Sequence, residues 1–515
     1  MILDARSLPA DTSVDADIVV VGGGAAGITI ARELAGTRHR VVVLESGGFE
    51  FAAETQALYA GEVVDDRYDP LDATRLRYFG GSTNHWEGNC RPLDAVDFEP
   101  RSWVPHSGWP FRRAALVPYY PRAEALCETG PFDYGDPNWP GDDDDAPLAF
   151  DPRRIQTGIY RRGPPTRFGQ AYRQDLVRAD NVTVYLHANV VEIETDEAAA
   201  SVTGLRCATL AGGRFRVIGH RYVLACGAIE NARLMLLSDR RRPGGLGNDN
   251  DLVGRFFTDH RLVASSRLAL SDPNTALRAY DTGRRAYGML ILPADVQRRE
   301  ELLNITVMLQ AVGRRSAGVA SLKSIADAVG EGSLPDELGA HVRNVAGDID
   351  GVGRALFRKL FGGRPQVGFL NFHSRVEPTP NPDNRVTLAD ARDSLGLRRA
   401  RVDWRLGERE LRSIRRSHEL IGLEAGRTGI GRVQVDVSAD TWLGRSINSG
   451  HHIGTLRMHD DPRRGVVDAN SRVHGVGNLY VAGSAVFPTA GCSNPTLTLV
   501  ALALRLAEHL DRETM

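Results

Sequence analysis

A chain of 515 residues is longer than one hydrophobic core ordinarily serves, so two subdomains sharing an interface are expected. Hydrophobic residues at 42% and charged residues at 25% exclude a disordered, fibrous or disulfide-stapled protein. A formal net charge of -2 excludes a domain-wide basic field for a nucleic-acid backbone or an anionic bilayer, so no nucleic-acid partner is expected.

The stretch from Met1 to Asp15 is acidic and lacks the basic and then apolar run of a secretory signal. No apolar run approaches the ~18 residues of a membrane span, and a cytoplasmic protein is expected. The five cysteines, Cys90, Cys127, Cys207, Cys226 and Cys492, form no Cys-x-x-Cys pair; they read as reduced, mostly buried thiols, and no metal site is expected.

In chain order, Asp17 to Val21 is a short apolar, β-branched run that predicts a strand. Gly22 to Gly27 is glycine-rich, Ile28 to Leu34 has helical spacing, and Val41 to Leu44 predicts a second buried strand. Gly22, Gly24 and Gly27 form Gly-x-Gly-x-x-Gly between strand and helix. The first permits a tight turn, the second lets backbone approach a pyrophosphate, and the third lets helix pack close to strand. Glu45 closes the second strand at about the ~20-residue distance where an acid takes the ribose hydroxyls. No second unit of this kind exists to hold a nicotinamide beside a flavin, and the remaining strands are scattered and partly hairpin-like. One dinucleotide is implied, and the pattern suits FAD better than NAD.

Further along, the run Asp142 to Asp145 reads as a solvated turn, because it lacks the ligand spacing of a Ca²⁺ loop. Val182 to Leu186, Val190 to Ile193 and a hairpin about Ala211-Gly212-Gly213 leading to Tyr222 to Ala225 are predicted strands. The character changes between Leu262 and Val435, with strands about Val367 to Val376 and Arg385 to Leu388 and a charged helix from Glu408 to Leu423. Between Ala317 and Arg358, apolar spacing at Leu322, Ile325, Ala326 and Val329, then Leu338, Val342 and Val345, predicts short helices over the active site. The stripe is weakly basic, so ordinary packing is preferred to a docking or membrane-surface role. The chain ends in a strand at Asn478 to Ala482 and a helix at Leu497 to Leu510.

Three blocks resemble the glucose-methanol-choline (GMC) oxidoreductases, and the match extends over essentially the whole chain. The first is Gly22 to Glu45; the second is Gly80-Gly81-Ser82-Thr83-Asn84-His85-Trp86. The third comprises His451-His452-Ile453-Gly454-Thr455, Gly465 to Asp468, Asn478 to Ser484, Pro488-Thr489 and Asn494-Pro495-Thr496. The resemblance implies an α/β chain: a Rossmann-like FAD-binding domain from the discontinuous segments 1–100, 181–261 and 441–515, a cap or connecting segment 101–180, and an α+β substrate-binding domain 262–440 with an antiparallel sheet.

The resemblance also implies roles. His451 matches the family's active-site histidine, and Asn494 the second polar position, as in pyranose and choline oxidases. Gly81 and Ser82 match the loop along the flavin, Ser46 follows the ribose acid, and Val190 matches a residue that contacts adenine. Ala225 and Gly227 match a strand end passing the FAD, Gly483 and Ser484 the ribityl and pyrophosphate, and Pro495 and Thr496 the pyrimidine edge of the flavin. His85 precedes Trp86 as does the histidine that bonds covalently to flavin in pyranose oxidases, although Ser-Thr-Asn-His-Trp stands here in place of Ser-Thr-His-Trp.

The implied activity is oxidation of a secondary hydroxyl, at C2 or C3 of a sugar or glycoside. His451 takes the hydroxyl proton, hydride passes to the flavin N5, and oxygen or quinone is the final acceptor. Histidine suits the proton because its free pKa of ~6.5 lies near neutrality, and the rate is expected to rise with pH through an apparent pKa around that value. An amide such as Asn494 orients the hydroxyl without competing for its proton. A non-sugar alcohol, a lyase and a flavin electron carrier are the alternatives on the same scaffold; a carrier has no use for the His451–Asn494 pair.

Overall fold

The protein is described by a computed structural model covering residues 1–134, 146–313, 317–330, 338–348 and 367–513. The run Asp142 to Asp145 and much of the second half of 317–358 lie outside the described residues.

The chain builds a mixed parallel and antiparallel eight-stranded sheet from its two ends and its middle. Its parallel core runs Ile2–Asp4, Val182–Leu186, Val41–Leu44, Thr12–Val21 and Arg214–Leu224. The late strand Leu479–Val481 adds to Arg214–Leu224 in parallel, with Tyr222 opposite Leu479. Strands Val202–Ala208 and Asn189–Thr195 extend the other edge by antiparallel pairing, and Ala208 and Arg214 close the hairpin. Ile18, Val19, Val20 and Val43 are fully buried. The unbroken apolar runs arise because both faces of this sheet are covered. Helices Ala25–Glu33 and Thr496–Arg512 pack together over it, so the first and last thirds of the chain share one core.

A second eight-stranded sheet is antiparallel throughout: Gly431–Gln434, Arg261–Leu270, Val367–Val376, Ile305–Gly313, Ala286–Ile291, Gln156–Arg162 and Asn89–Cys90, with Ser446–Asn448 pairing to Arg261–Leu270. Strand alternation sorts its faces. Leu370, Phe372 and Val376 are buried in a core that includes Ile414, Ile421 and Ala425 of helix Glu408–Thr428. The intervening residues Asn371, His373 and Arg375 take the opposite face, where Tyr160, Tyr287, Met289 and Met308 form a small cluster. The strands at 89–90 and 156–162 come from outside the range assigned above to the substrate side. Strands Arg385–Arg392 and Arg398–Asp403, inside that range, join Glu62–Val63 and bury Val386, Ala400 and Val402 in the first core.

Helices Ala317–Gly330 and Leu338–Gly347 exist as the spacing predicts, but they pack on each other and leave Leu322 and Val342 exposed. None of their described residues borders the large cavity described below.

The two bodies are joined by buried charge. Arg101 donates to both oxygens of Glu377 at 2.7 and 2.5 Å, with side-chain exposures of 1% and 0%. The Asn304 backbone N–H adds a bond to Glu377 at 3.2 Å, and the Asn304 amide reaches Asp97 at 2.9 Å. Burial, followed by the charges of Glu377 and Asp94, pushes the Asp97 carboxyl up to about 8. Removing the guanidinium leaves carboxyl groups facing one another without water. Arg101→Met is therefore expected to destabilise the protein by about 3–5 kcal/mol, measured as a fall in the midpoint of denaturant unfolding.

Candidate active site

A cavity of about 600 Å³ runs from Glu45, Ala188 and Val190 past the glycine turn to His451 and Asn494. Its dinucleotide end is set by backbone sterics. Gly22 has φ +108°, and a Cβ there would stand 2.6 Å from the Ala225 carbonyl oxygen. Gly27 does not border the cavity; a Cβ on it would meet the Gly22 oxygen at 1.9 Å, so its role is the close approach of helix to turn. Glu45 accepts the Gly23 N–H through one oxygen and the Gly47 N–H through the other, both at 2.8 Å. Each oxygen retains capacity for a hydroxyl donor. Burial raises the Glu45 pKa against these hydrogen bonds.

Three helices begin at the cavity, capped by Gly24, Gly227 and Pro495. Their unpaired N–H groups and dipoles favour an anionic or electron-rich ligand. Arg75 and Arg77 border it too, paired to Glu230 at 3.0 and 3.3 Å. A Cβ at Gly24 or Gly483 would meet nothing within 4 Å, and the buried Nε2 of His452, another residue of the cavity wall, has no protein partner. An elongated cavity with these features fits FAD.

At the other end the hydrogen bonds determine tautomers. His260 Nε2 lies 2.7 Å from the Gly491 carbonyl oxygen, which can only accept, so this nitrogen carries the proton. His260 Nδ1 is then an acceptor, and His451 Nδ1 at 3.0 Å donates to it. The proton of neutral His451 is thereby held away from Nε2, which keeps its lone pair and accepts from the Asn494 amide at 3.4 Å. Arg375 Nη1 donates to Asn494 Oδ1 at 2.8 Å, which turns the Asn494 amide nitrogen toward His451 Nε2 at 3.4 Å. Asp259, fully buried, accepts the His451 N–H at 2.7 Å, the Gly450 N–H at 3.2 Å and the Tyr68 hydroxyl at 2.9 Å.

The electrostatics keep these imidazoles neutral. Burial first, then the Arg375 charge, pushes His260 down to about 3. Burial, then His260, Arg375 and His452, holds His451 well below the ordinary histidine value. His452 is pushed down to about 3 by burial and by Arg75 and His85. Burial lifts Asp259 to about 6 in spite of its donors.

Of the residues singled out from sequence, Gly22, Gly24, Glu45, Ser46, Gly81, Ser82, His85, Val190, Ala225, Gly227, His451, Gly483, Ser484, Asn494, Pro495 and Thr496 all border this cavity. His452, beside His451 in the same motif, borders it as well. Sequence reasoning missed Arg375, His260, Asp259 and Tyr68. The adjacent Asp259-His260 pair, just before a strand of the second sheet, was the available signal. Nothing local marks Arg375, one of many arginines.

A dinucleotide cradle that ends at a neutral histidine and an oriented amide defines a flavin-dependent oxidoreductase. Residues 17–243 match the family model described as FAD dependent oxidoreductase, and residues 380–503 the one described as GMC oxidoreductase. The chain thus carries a GMC oxidoreductase C-terminal domain together with an FAD-dependent oxidoreductase domain, binds FAD and is an enzyme of the alcohol- and sugar-oxidising kind. It is 26% identical to the 2-methyl-1,2-propanediol dehydrogenase of Mycolicibacterium austroafricanum, over 97% of this chain and 96% of the relative. A C-glycoside 3-oxidase of Microbacterium trichothecenolyticum is 36% identical over 132 residues, 25% of each chain. The solved structure of pyridoxine 4-oxidase from Mesorbium loti shares the fold, with a TM-score of 0.58 and 18% identity over 97% of this chain and 100% of that one. Among the described residues, no cluster of metal-ligating side chains occurs and no helix is long and apolar enough to cross a membrane.

The close packing at Gly27 makes a specific prediction. A methyl group there forces helix and turn apart, at a cost of about 1–3 kcal/mol. In Gly27→Ala the flavin absorbance per chain should fall well below that of the wild type purified in parallel, and the melting temperature should drop.

Proposed function

We propose that the protein oxidises a secondary hydroxyl of a sugar or glycoside, at C2 or C3, with His451 as the base, Asn494 as the orienting amide, and oxygen or a quinone as the final acceptor. The observation that carries this reading is the relay from the Gly491 carbonyl through His260 to His451. It leaves His451 Nε2 unprotonated beside an amide donor. A substrate hydroxyl between them donates its proton to His451 Nε2 and accepts from the Asn494 amide. Bound FAD supplies the acceptor for the hydride that leaves the same carbon. His260 keeps the His451 ring in one tautomer, and Asp259 holds the backbone from which that ring projects. A flavin electron carrier needs none of this arrangement, and the likeness to a C-glycoside 3-oxidase over 25% of each chain supports a sugar substrate. Glu45, Ser46, Val190 and the three helix N-termini are proposed to hold the dinucleotide, and Gly81, Ser82, Ala225, Gly227, Gly483, Ser484, Pro495 and Thr496 to flank it.

His451→Ala should slow anaerobic flavin reduction by about 10²-fold or more while FAD content hardly changes. Asn494→Ala should cost less, since it orients rather than accepts the proton. Reduction at the wild-type rate by His451→Ala would remove the assigned base and make His452 the next candidate.

The pH dependence follows from the depressed His451 pKa and is shifted from the value near ~6.5 expected of a free imidazole. Below its pKa the imidazole is protonated and cannot accept, so the rate should be level through neutrality and fall only at pH well below that value. Stopped-flow reduction across pH checks this, and a limb centred near or above ~6.5 contradicts it.

His85 is proposed as the point of covalent attachment. Its ring borders the cavity, where partial desolvation and then the Arg167 charge hold its pKa below the ordinary histidine value. Acid precipitation should leave flavin in the wild-type pellet and release it from His85→Ala; release from the wild type ends the idea.

A further inference from the structure

Orienting Asn494 uses only part of Arg375. It projects from strand Val367–Val376 on the face away from helix Glu408–Thr428 and reaches the cavity at its catalytic end. Its hydrogen bond to Asn494 uses a single N–H of a group that carries five. Its buried Nε has no partner, and among the described residues no carboxylate lies within ion-pairing distance of it. The groups whose ionisation it perturbs are His260, His451, Tyr160 and Tyr287, all neutral at physiological pH. Glu87 also borders the cavity, but it is exposed and accepts from the Asn89 amide. Leu262, Ile447, Asn448 and Ser449 complete this end without a charge.

A guanidinium half-buried among neutral groups is costly unless something anionic joins it, as Glu377 joins the buried Arg101 and Asp393 joins Arg233 at 2.6 Å, whereas the buried Arg457 is met instead by the His106 carbonyl and the Phe256 ring. We infer that Arg375 binds a carboxylate of the substrate, so that the preferred sugar is an acid, a uronate or aldonate or a glycoside of one. This rests on the alcohol-oxidising reading of the site. Arg375 and His451 Nε2 are separated by the Asn494 amide and its two contacts, so the carboxylate and the oxidised carbinol lie on the same sugar unit. The guanidinium fork suits a bidentate carboxylate. Its occupation also offsets the positive charge that depresses His451, making the imidazole a stronger base when the correct substrate is bound.

Anaerobic reduction of the holoenzyme by methyl glucuronide and gluconate, each compared with its neutral counterpart, methyl glucoside and glucitol, tests the inference. The acids should be favoured by on the order of 10²-fold in kcat/KM, and Arg375→Met should erase that preference while Arg375→Lys retains part of it. As a readout without turnover, acetate should perturb the spectrum of the oxidised flavin in the wild type with a saturable Kd, and not in Arg375→Met. Equal use of acid and neutral sugars, with Arg375→Met lowering both by the same factor, would overturn the inference and leave Arg375 as the group that merely holds Asn494. If no alcohol reduces the flavin, the alcohol-oxidising reading falls, and the acetate titration alone then decides whether Arg375 holds a carboxylate.

Discussion

The active end of this protein depends on one carbonyl that can only accept. Because the Gly491 oxygen takes the His260 Nε2 proton, His260 must present a bare Nδ1, and His451 must spend its own proton on it. The lone pair that remains on His451 Nε2 is the chemical product of that constraint. Two imidazoles in a buried site have several possible tautomer and charge states; a single backbone acceptor reduces them to one. Asp259 then secures the His451 backbone, and Arg375 orients the amide opposite.

Burial is the other half of the arrangement. An exposed histidine near its ordinary pKa divides its population between base and acid at neutral pH, whereas burial and neighbouring positive charge keep His451 in the accepting form. The same influences weaken it as a base, which is a real opposition: readiness is gained and driving force is lost. The positive charge in this opposition comes from Arg375 on the antiparallel sheet, a part of the fold remote in sequence from the histidine it acts on.

The architecture explains how a shared scaffold accommodates different substrates. The proposed dinucleotide cradle is built by the parallel sheet and three helix N-termini, where backbone N–H groups converge on the cavity. The substrate end takes its wall from the free face of the antiparallel sheet, on which every second side chain can change without disturbing the core beneath helix Glu408–Thr428. Fold likeness to other oxidases therefore describes the cradle far better than it describes that wall.

The parts legible in the sequence were those whose chemistry is local. Gly22, Gly24 and Gly27 declare a strand-to-helix turn because backbone approach tolerates no side chain, and the valine runs at 18–21 and 41–44 declare buried parallel strands because both faces lose water. His451 and Asn494 could be named because motif residues surround each of them. What only the tertiary structure decided depends on contacts between residues far apart in the chain. His260 lies 191 residues from His451, and Arg375 lies 119 from Asn494. No periodicity or spacing connects them, since a hydrogen bond between strands and loops of different sheets leaves no mark on the neighbours in sequence. The sequence by itself pointed to the cradle, the kind of enzyme and the histidine proposed as base; the fold decided which nitrogen of that histidine carries the proton and which arginine, without a carboxylate partner among the described residues, stands near it.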